Sequence, residues 1–247
     1  MFPYLTITQN HMISTYGLML AISFLTGRFL YLKRLQTINA SSINFDLYIL
    51  ALVVSAVISS KLLFVVKYID YYPYQYLTDF SQGYSSQGAL LGAILTAFIF
   101  SKINKINLSV LLDNAAPAVI ICYAIARIGC FLAGDNCYGI KTDLPWGMSF
   151  PNGMEPTKEN VHPLPLYEIA YSVIIYFYLN RLTFKEQKHY FIFFNLLFLW
   201  GICRFLVEFL SINPKQILFM SGSQFGALIM ILISSHFLFI TGKKKPE

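Results

Sequence analysis

Long apolar runs separated by short polar patches set the rhythm of this chain, at 13–31, 47–66, 87–100, 110–132, 166–182, 190–210 and 225–240. Crossing about 30 Å of hydrocarbon at 1.5 Å per residue takes roughly 20 helical residues, and each run approaches that length. The third and fifth are short enough to need neighbours or interfacial residues to complete a crossing. The pattern predicts an all-α, polytopic integral membrane protein with seven transmembrane helices. Between the fourth and fifth runs lies a long polar stretch, 134–165, with Pro145, Pro151, Pro156, Pro163 and Pro165 and with Gly139, Gly147 and Gly153. Prolines fix φ and glycines permit turns, so irregular backbone is expected there, with Trp146 and Phe150 dipping toward lipid. The chain is expected to form a single membrane domain, 1–247, with 134–165 as a small extracytoplasmic cap. No internal repeat or low-complexity tract interrupts it.

Composition sharpens this picture. At 56% hydrophobic and 12% charged, with a mean hydropathy of +0.58, the 247 residues lie outside the balance of a soluble domain. Orientation follows from the basic residues, because cytoplasmic loops carry the excess. One set of alternate loops and the tail hold Lys33, Arg34, Lys102, Lys105, Arg181, Lys185, Lys188, Lys243, Lys244 and Lys245; the other holds Lys67, Lys141, Lys158 and Lys215. The N-terminus is thus expected outside and the C-terminus in the cytoplasm. The net charge of +6 is read as this topology signal together with contact to anionic lipid, not as nucleic-acid binding. The first run follows no basic cluster and precedes no small-residue cleavage pattern, so it reads as a retained span.

The candidate chemistry lies in charges placed within the runs: Lys61, Arg127, Arg204 and Glu208. A charge at bilayer depth costs about 2.5–3.5 kcal/mol on insertion scales, so it faces a cavity, a partner or a functional path. Arg204 and Glu208, four apart, share one helix face and can pair. Arg127 has no acid within a turn, which points to a distant partner or an anionic ligand. Lys61 reads equally as a snorkelling or a functional lysine. Cys122, Cys130, Cys137 and Cys203 form no CxxC pair and no metal-ligand spacing with the histidines, so no metal or cofactor is expected, and no Cys130–Cys137 disulfide is assigned. Around Arg127 the chain reads ARIGCFLAGDNCYG, 126–139, where glycines loosen the helix end. A guanidinium and free amides there suit a phospholipid headgroup.

That segment resembles the signature of bacterial prolipoprotein diacylglyceryl transferases, which runs Gly-Arg-x-Gly-Asn-Phe-x-Asn, then an acid, and ends in Gly. Four further stretches agree in order. Tyr16 and Gly17 resemble the family's first-span Tyr-Gly, and YSSQGALLG, 84–92, is similar to its Ser-Phe-His-Gly-Gly-Leu-x-Gly. VHPLPLYE, 161–168, resembles His-Pro-x-x-Leu-Tyr-Glu, and WGICRFLVEF, 200–209, resembles Tyr-Gly-x-x-Arg-x-x-x-Glu-Phe. The resemblance implies transfer of the diacylglyceryl group of phosphatidylglycerol to the lipobox cysteine of a prolipoprotein, in a bacterial cytoplasmic membrane. It implies that Arg127 and Arg204 hold the departing phosphate, with Glu208 orienting Arg204. Tyr16, Asp135, Gly139, Tyr167 and Glu168 would shape the lipid pocket and its mouth.

The departures carry equal information. Gln87 stands at the family's histidine, and its amide can position a substrate oxygen or thiol but cannot take up a proton. His162 keeps the His-Pro position and is a substitute base or a solvated, capping histidine. Lys61 replaces the second-span arginine, Cys130 and Ala133 the two asparagines, and Trp200 the tyrosine before the last arginine; the acid, Asp135, sits in a loop one residue longer. Two readings remain open: a transferase, or a non-catalytic phospholipid-binding or lipid-moving protein on the same scaffold.

Overall fold

The computed structural model describes residues 1–8, 11–36, 44–68, 84–182, 189–215 and 219–243; Lys185, Lys188, Lys244 and Lys245 lie outside them, as do the side chains of Lys67, Gln87 and Lys243. Seven α-helices are present among the described residues: α1 (Thr15–Leu35), α2 (Phe45–Tyr68), α3 (Ser86–Ile103), α4 (Leu108–Ala133), α5 (Leu164–Arg181), α6 (Phe191–Val207) and α7 (Gly222–Lys243). One helix falls on each apolar run. Five are long and apolar enough to cross a membrane: α1, Phe45–Val66 of α2, α4, Phe191–Leu210 and Gly222–Ile240 of α7. The apolar part of α3, Gly88–Ile103, is shorter, and α5 is not among the five. The protein is a multi-pass, largely helical membrane protein.

The chain divides into two compact units, Leu32–Leu112 in one and Met1–Tyr31 with Asp113–Glu247 in the other. In the first, α2 and α3 pack closely because Gly88 and Gly92 present no side chain to the partner helix. A Cβ on Gly92 would meet the Ser59 hydroxyl and lie 2.7 Å from the Ser55 carbonyl oxygen. Small polar residues line this seam: Thr96 donates to Ser55 Oγ at 2.7 Å, and Ser60 Oγ to the Ser85 carbonyl at 2.7 Å. Lys61, only 6% exposed, sets its ammonium 5.1 Å from the Tyr84 ring centroid.

The second unit carries the site. Its core joins Ala116 and Ile120 of α4, Ile175 and Leu179 of α5, and Ile192 and Leu196 of α6. Asp113 of α4, unremarked in the sequence reading although it falls in the fourth run, accepts the Phe193 amide at 2.8 Å and so satisfies a free N–H in the first turn of α6. Before α1 the chain forms a hairpin, β1 (Tyr4–Thr8) and β2 (His11–Ser14), which hydrophobic periodicity did not disclose. The Phe2 amide bonds the Leu132 carbonyl at 3.0 Å, tying the start of the chain to the end of α4.

The expectation of wholly irregular backbone over 134–165 is corrected. Met148–Phe150 (β3) and Thr157–Val161 (β4) pair antiparallel, and Gly139 and Lys141 make isolated bridges to Ser211 and Val161. Phe150 does not turn toward lipid either. It is 1% exposed, stacked on Tyr138 and edge-on to Phe131, because the segment folds back onto the end of α4. Gly134 makes this return possible: it takes φ +60° and packs against the Gly153 backbone, while the Met154 and Glu155 amides satisfy the Ala133 and Gly134 carbonyls at 2.9 and 3.0 Å.

Candidate functional site

Three consecutive elements of the second unit bring their charges together. Arg127 comes from α4, Glu168 from the first turns of α5, and Arg204 from the last turn of α6, with Glu208 in the 3-10 turn that follows. The partner of Arg127 that its own helix lacks is Glu168: Arg127 Nε lies 2.5 Å from Glu168 Oε2. The other oxygen of Glu168 is bonded by Arg204 Nη1, so one carboxylate bridges both guanidinium groups. Arg204 Nη2 lies 2.8 Å from Glu208 Oε2, the pairing expected from the spacing of four. Glu208 Oε1 also accepts Asn213 Nδ2 at 2.7 Å and Ser221 Oγ at 2.8 Å.

Two guanidinium groups and two carboxylates cancel in charge, which is the condition for burying them at tolerable cost. Their burial is unequal. Both glutamate side chains are 1–2% exposed, while those of Arg127 and Arg204 keep 18% and 22%. The acids are thus walled in and the cations partly open, facing a cavity of about 100 Å³ lined by both arginines, both glutamates, Asn136 and Cys137 among others. At about 30 Å³ per water, that is room on the order of three waters, the scale of a phosphate and not of a whole lipid. Arg127 also lies over the Tyr123 ring, 5.0 Å from its centroid, and its Nη1 reaches Cys130 Sγ at 3.6 Å and Cys137 Sγ at 3.5 Å.

A second polar chain runs along the loop. Trp146 Nε1 donates to the Tyr167 hydroxyl at 2.8 Å, and that hydroxyl lies 3.1 Å from His162 Nδ1. With one lone pair taken by the indole, Tyr167 can give its proton to His162, an arrangement that fits a neutral imidazole accepting at Nδ1. His162 is 8% exposed, so the solvated alternative is excluded. Tyr167 also lines an open, mainly apolar groove of about 450 Å³ with Pro145, Trp146, Met148, Pro163 and Leu166, while its neighbour Glu168 lines the charged cavity.

Gly139 holds these parts in register. Its amide bonds the His162 carbonyl and the Ile140 amide the Leu210 carbonyl, both at 2.8 Å, and a Cβ on it would strike the Leu210 carbonyl and lie 2.9 Å from His162 Cβ. Tyr16 packs on Gly129, two residues beyond Arg127 on α4. Asp135 lies with Cys130 and Cys137. The structure thus joins Arg127, Arg204, Glu168 and Glu208 directly, and sets Tyr16, Asp135, Gly139, His162 and Tyr167 in the same unit. Lys61 belongs to the other unit, and Gln87 has its backbone in α3 but its side chain outside the described residues. Sequence reasoning missed Tyr123, Asn213, Ser221 and the role of Trp146. Only Tyr123 left a signal, standing four residues before Arg127 on the same helix face.

The chain is similar to known proteins over most of its length. The family model described as prolipoprotein diacylglyceryl transferase matches residues 3–240. The phosphatidylglycerol–prolipoprotein diacylglyceryl transferase of Clostridium tetani is 29% identical over 223 residues, 88% of this chain and 89% of its own length. A protein of the same name from Geobacter sulfurreducens is 28% identical over 84% of this chain and 81% of its own. The one designated transferase 2 in Clostridium perfringens is 29% identical over 94% and 92%.

Proposed function

The chain belongs to the prolipoprotein diacylglyceryl transferase family, and we propose that it moves the diacylglyceryl group of phosphatidylglycerol onto the thiol of a lipobox cysteine in a prolipoprotein. The observation that carries this reading is the pair of arginines fixed on one buried glutamate, with guanidinium faces open to a phosphate-sized cavity. In the reaction a thiolate attacks a glycerol carbon, the carbon–oxygen bond to the phosphate breaks, and glycerol phosphate leaves with the electron pair. Negative charge grows on that phosphate. Arg127 and Arg204 stabilise it through the N–H groups that the glutamates do not occupy, and because Glu168 and Glu208 hold them in place, little reorganisation is needed as charge develops. Asp135, Tyr16 and Gly139 shape the headgroup site, and the groove beside Tyr167 takes an apolar chain, from the lipid or the signal peptide. His162 is the candidate base, able to take up a proton as the Tyr167 hydroxyl facing its Nδ1 passes one on. The same reading keeps Lys61 as a substrate-binding residue and Gln87 as one that positions a substrate oxygen or thiol.

In the same reading the seven helices all span, as one membrane domain. The N-terminus and the 134–165 cap face outward, and the lysine tail faces the cytoplasm. The test is direct: purified protein, labelled phosphatidylglycerol and a lipobox peptide should give a peptide heavier by one diacylglyceryl unit. Gln87 favours a second reading, a lipid-binding protein without transfer, since a glutamine cannot serve as base. Normal lipid binding with no mass gain would select it.

A further inference from the structure

The transfer needs an ionised acceptor thiol, because the thiolate is the nucleophile and an ordinary thiol, at about 8.5, is mostly protonated at neutral pH. Position 87 offers no base. Beside Arg127, where the family signature has an asparagine, this chain has Cys130, and the loop returns Asp135 and Cys137 to it. The two sulfurs and a carboxylate oxygen of Asp135 all lie within 4.8 Å of one another. Cys130 is 6% exposed, both cysteines are free thiols, and Asp135 Oδ1 is buried without a hydrogen bond. That oxygen, on the side chain that clusters with the two thiols, has a polar requirement that a cation would meet.

From this juxtaposition we infer that Cys130, Asp135 and Cys137 form a three-ligand site for a soft divalent cation of the zinc class, whose fourth position takes the acceptor cysteine as a thiolate. The metal site stands on its own geometry; its use on the acceptor rests on the transferase reading above. Zinc–sulfur and zinc–oxygen bonds of about 2.3 and 2.0–2.2 Å set tetrahedral ligand atoms roughly 3.5–3.8 Å apart, so the three atoms need close by about an ångström at most. Two thiolates select zinc over magnesium or calcium. Two thiol protons leave as the dication arrives, so the cluster keeps the single negative charge it already has from Asp135. Three protein ligands with an open fourth position is the pattern of catalytic rather than structural zinc. Arg127 Nη1, 3.6 and 3.5 Å from the two sulfurs, donates to both of them and offsets the charge that the incoming thiolate adds.

The step balances without redox change. The acceptor thiol binds the metal and loses its proton to water. Its sulfur then forms the new bond to the glycerol carbon as the carbon–oxygen bond to the phosphate breaks, and glycerol phosphate departs with that electron pair. The thioether product carries no charge, ligates weakly and leaves.

The test uses the full chain in detergent, stripped of metal under reducing conditions and titrated with Co²⁺ as a spectroscopic probe. One Co²⁺ per chain should give a sulfur-to-cobalt charge-transfer absorption and tetrahedral d–d bands, and Zn²⁺ should displace it. Cys130→Ser and Cys137→Ser should lose the charge-transfer band. Asp135→Asn, which keeps both sulfurs, should retain it at weaker affinity and guards against a folding failure of the cysteine variants. A lipobox peptide should shift the d–d bands, and the same peptide with serine for cysteine should not. Transfer should fall at least tenfold in stripped protein and return with Zn²⁺. No thiolate band, or a Cys130–Cys137 disulfide in protein alkylated directly from membranes, overturns the site. An unshifted spectrum, or full transfer by stripped protein, overturns the thiol activation and leaves the transferase reading standing. No transfer at any metal content overturns the transferase reading itself, and the cobalt band still decides the metal site.

Discussion

Glu168 is the side chain on which both arginines lean, and its removal leaves Arg204 paired with Glu208 alone, Arg127 without its carboxylate, and a charge imbalance. Breaking a buried pair in this way costs about 3–5 kcal/mol, so Glu168→Ala should lower the unfolding midpoint in detergent by that equivalent; an unchanged midpoint would show that the bridge carries no stability. The arginines themselves should fail on exchange for lysine, a point charge without the planar fork. Arg127→Lys and Arg204→Lys should stay folded yet lose roughly tenfold or more in phosphatidylglycerol affinity, the worth of a charge-assisted bond. Equal binding by both variants would remove the headgroup role. Cys137 supplies a pH test in the metal-stripped protein. Its thiol is pushed up, first by a hydrogen bond with the Cys130 sulfur and then by burial. Folding thus favours the neutral thiol: stability is whole below the ordinary thiol range and is lost as pH climbs above it. Iodoacetamide should modify Cys137 slowly through pH 9 in folded protein and quickly once it is unfolded, and fast labelling at pH 8 without unfolding would contradict the shift. From the sequence, the Arg204–Glu208 pair was legible because four residues make one helical turn; Glu168 as the shared partner was not, since α4, α5 and α6 meet only through packing.

Among elements, each apolar run became a helix, because in lipid a backbone must satisfy its own hydrogen bonds. Gly88 and Gly92, four apart, suit α3 to close approach by a neighbour, and packing decided that the neighbour is α2. Gly92→Ala places a methyl against the Ser59 hydroxyl and 2.7 Å from the Ser55 carbonyl, which is backbone and cannot swing aside. It should therefore push the helices apart and cost on the order of 1–3 kcal/mol, read as a lower thermal midpoint. A neutral result would mean that the seam tolerates a side chain. The two hairpins escaped periodicity because each pairs only a few residues, and register in such short strands is set by what they pack on. Phe150 shows this: the sequence around it suggested an aromatic dipping toward lipid, yet Tyr138 and Phe131 enclose it.

For the molecule as a whole, the charge asymmetry between alternate loops predicts the orientation proposed above. A single cysteine at Thr157 in a version without native cysteines should react with an impermeant maleimide in intact cells, and one at Lys244 should be protected; the opposite pattern would invert the topology. The 134–165 segment would then meet the outer leaflet, and the charged cavity at its base would open where a lipid headgroup lies.

Sequence by itself determined that this chain lives in a bilayer, where its helices run and which family it belongs to, because hydropathy, helical period and ordered motifs are local or linear properties. It also revealed which charges were too costly to be incidental. Tertiary structure alone decided how those charges are neutralised. Glu168 sits 41 positions from Arg127 and 36 from Arg204, and no spacing rule reaches across such distances. The gathering of Cys130, Asp135 and Cys137 was hidden for a related reason: no metal-ligand spacing connects them, and only the left-handed turn at Gly134 and the return of the loop bring the three into one cluster.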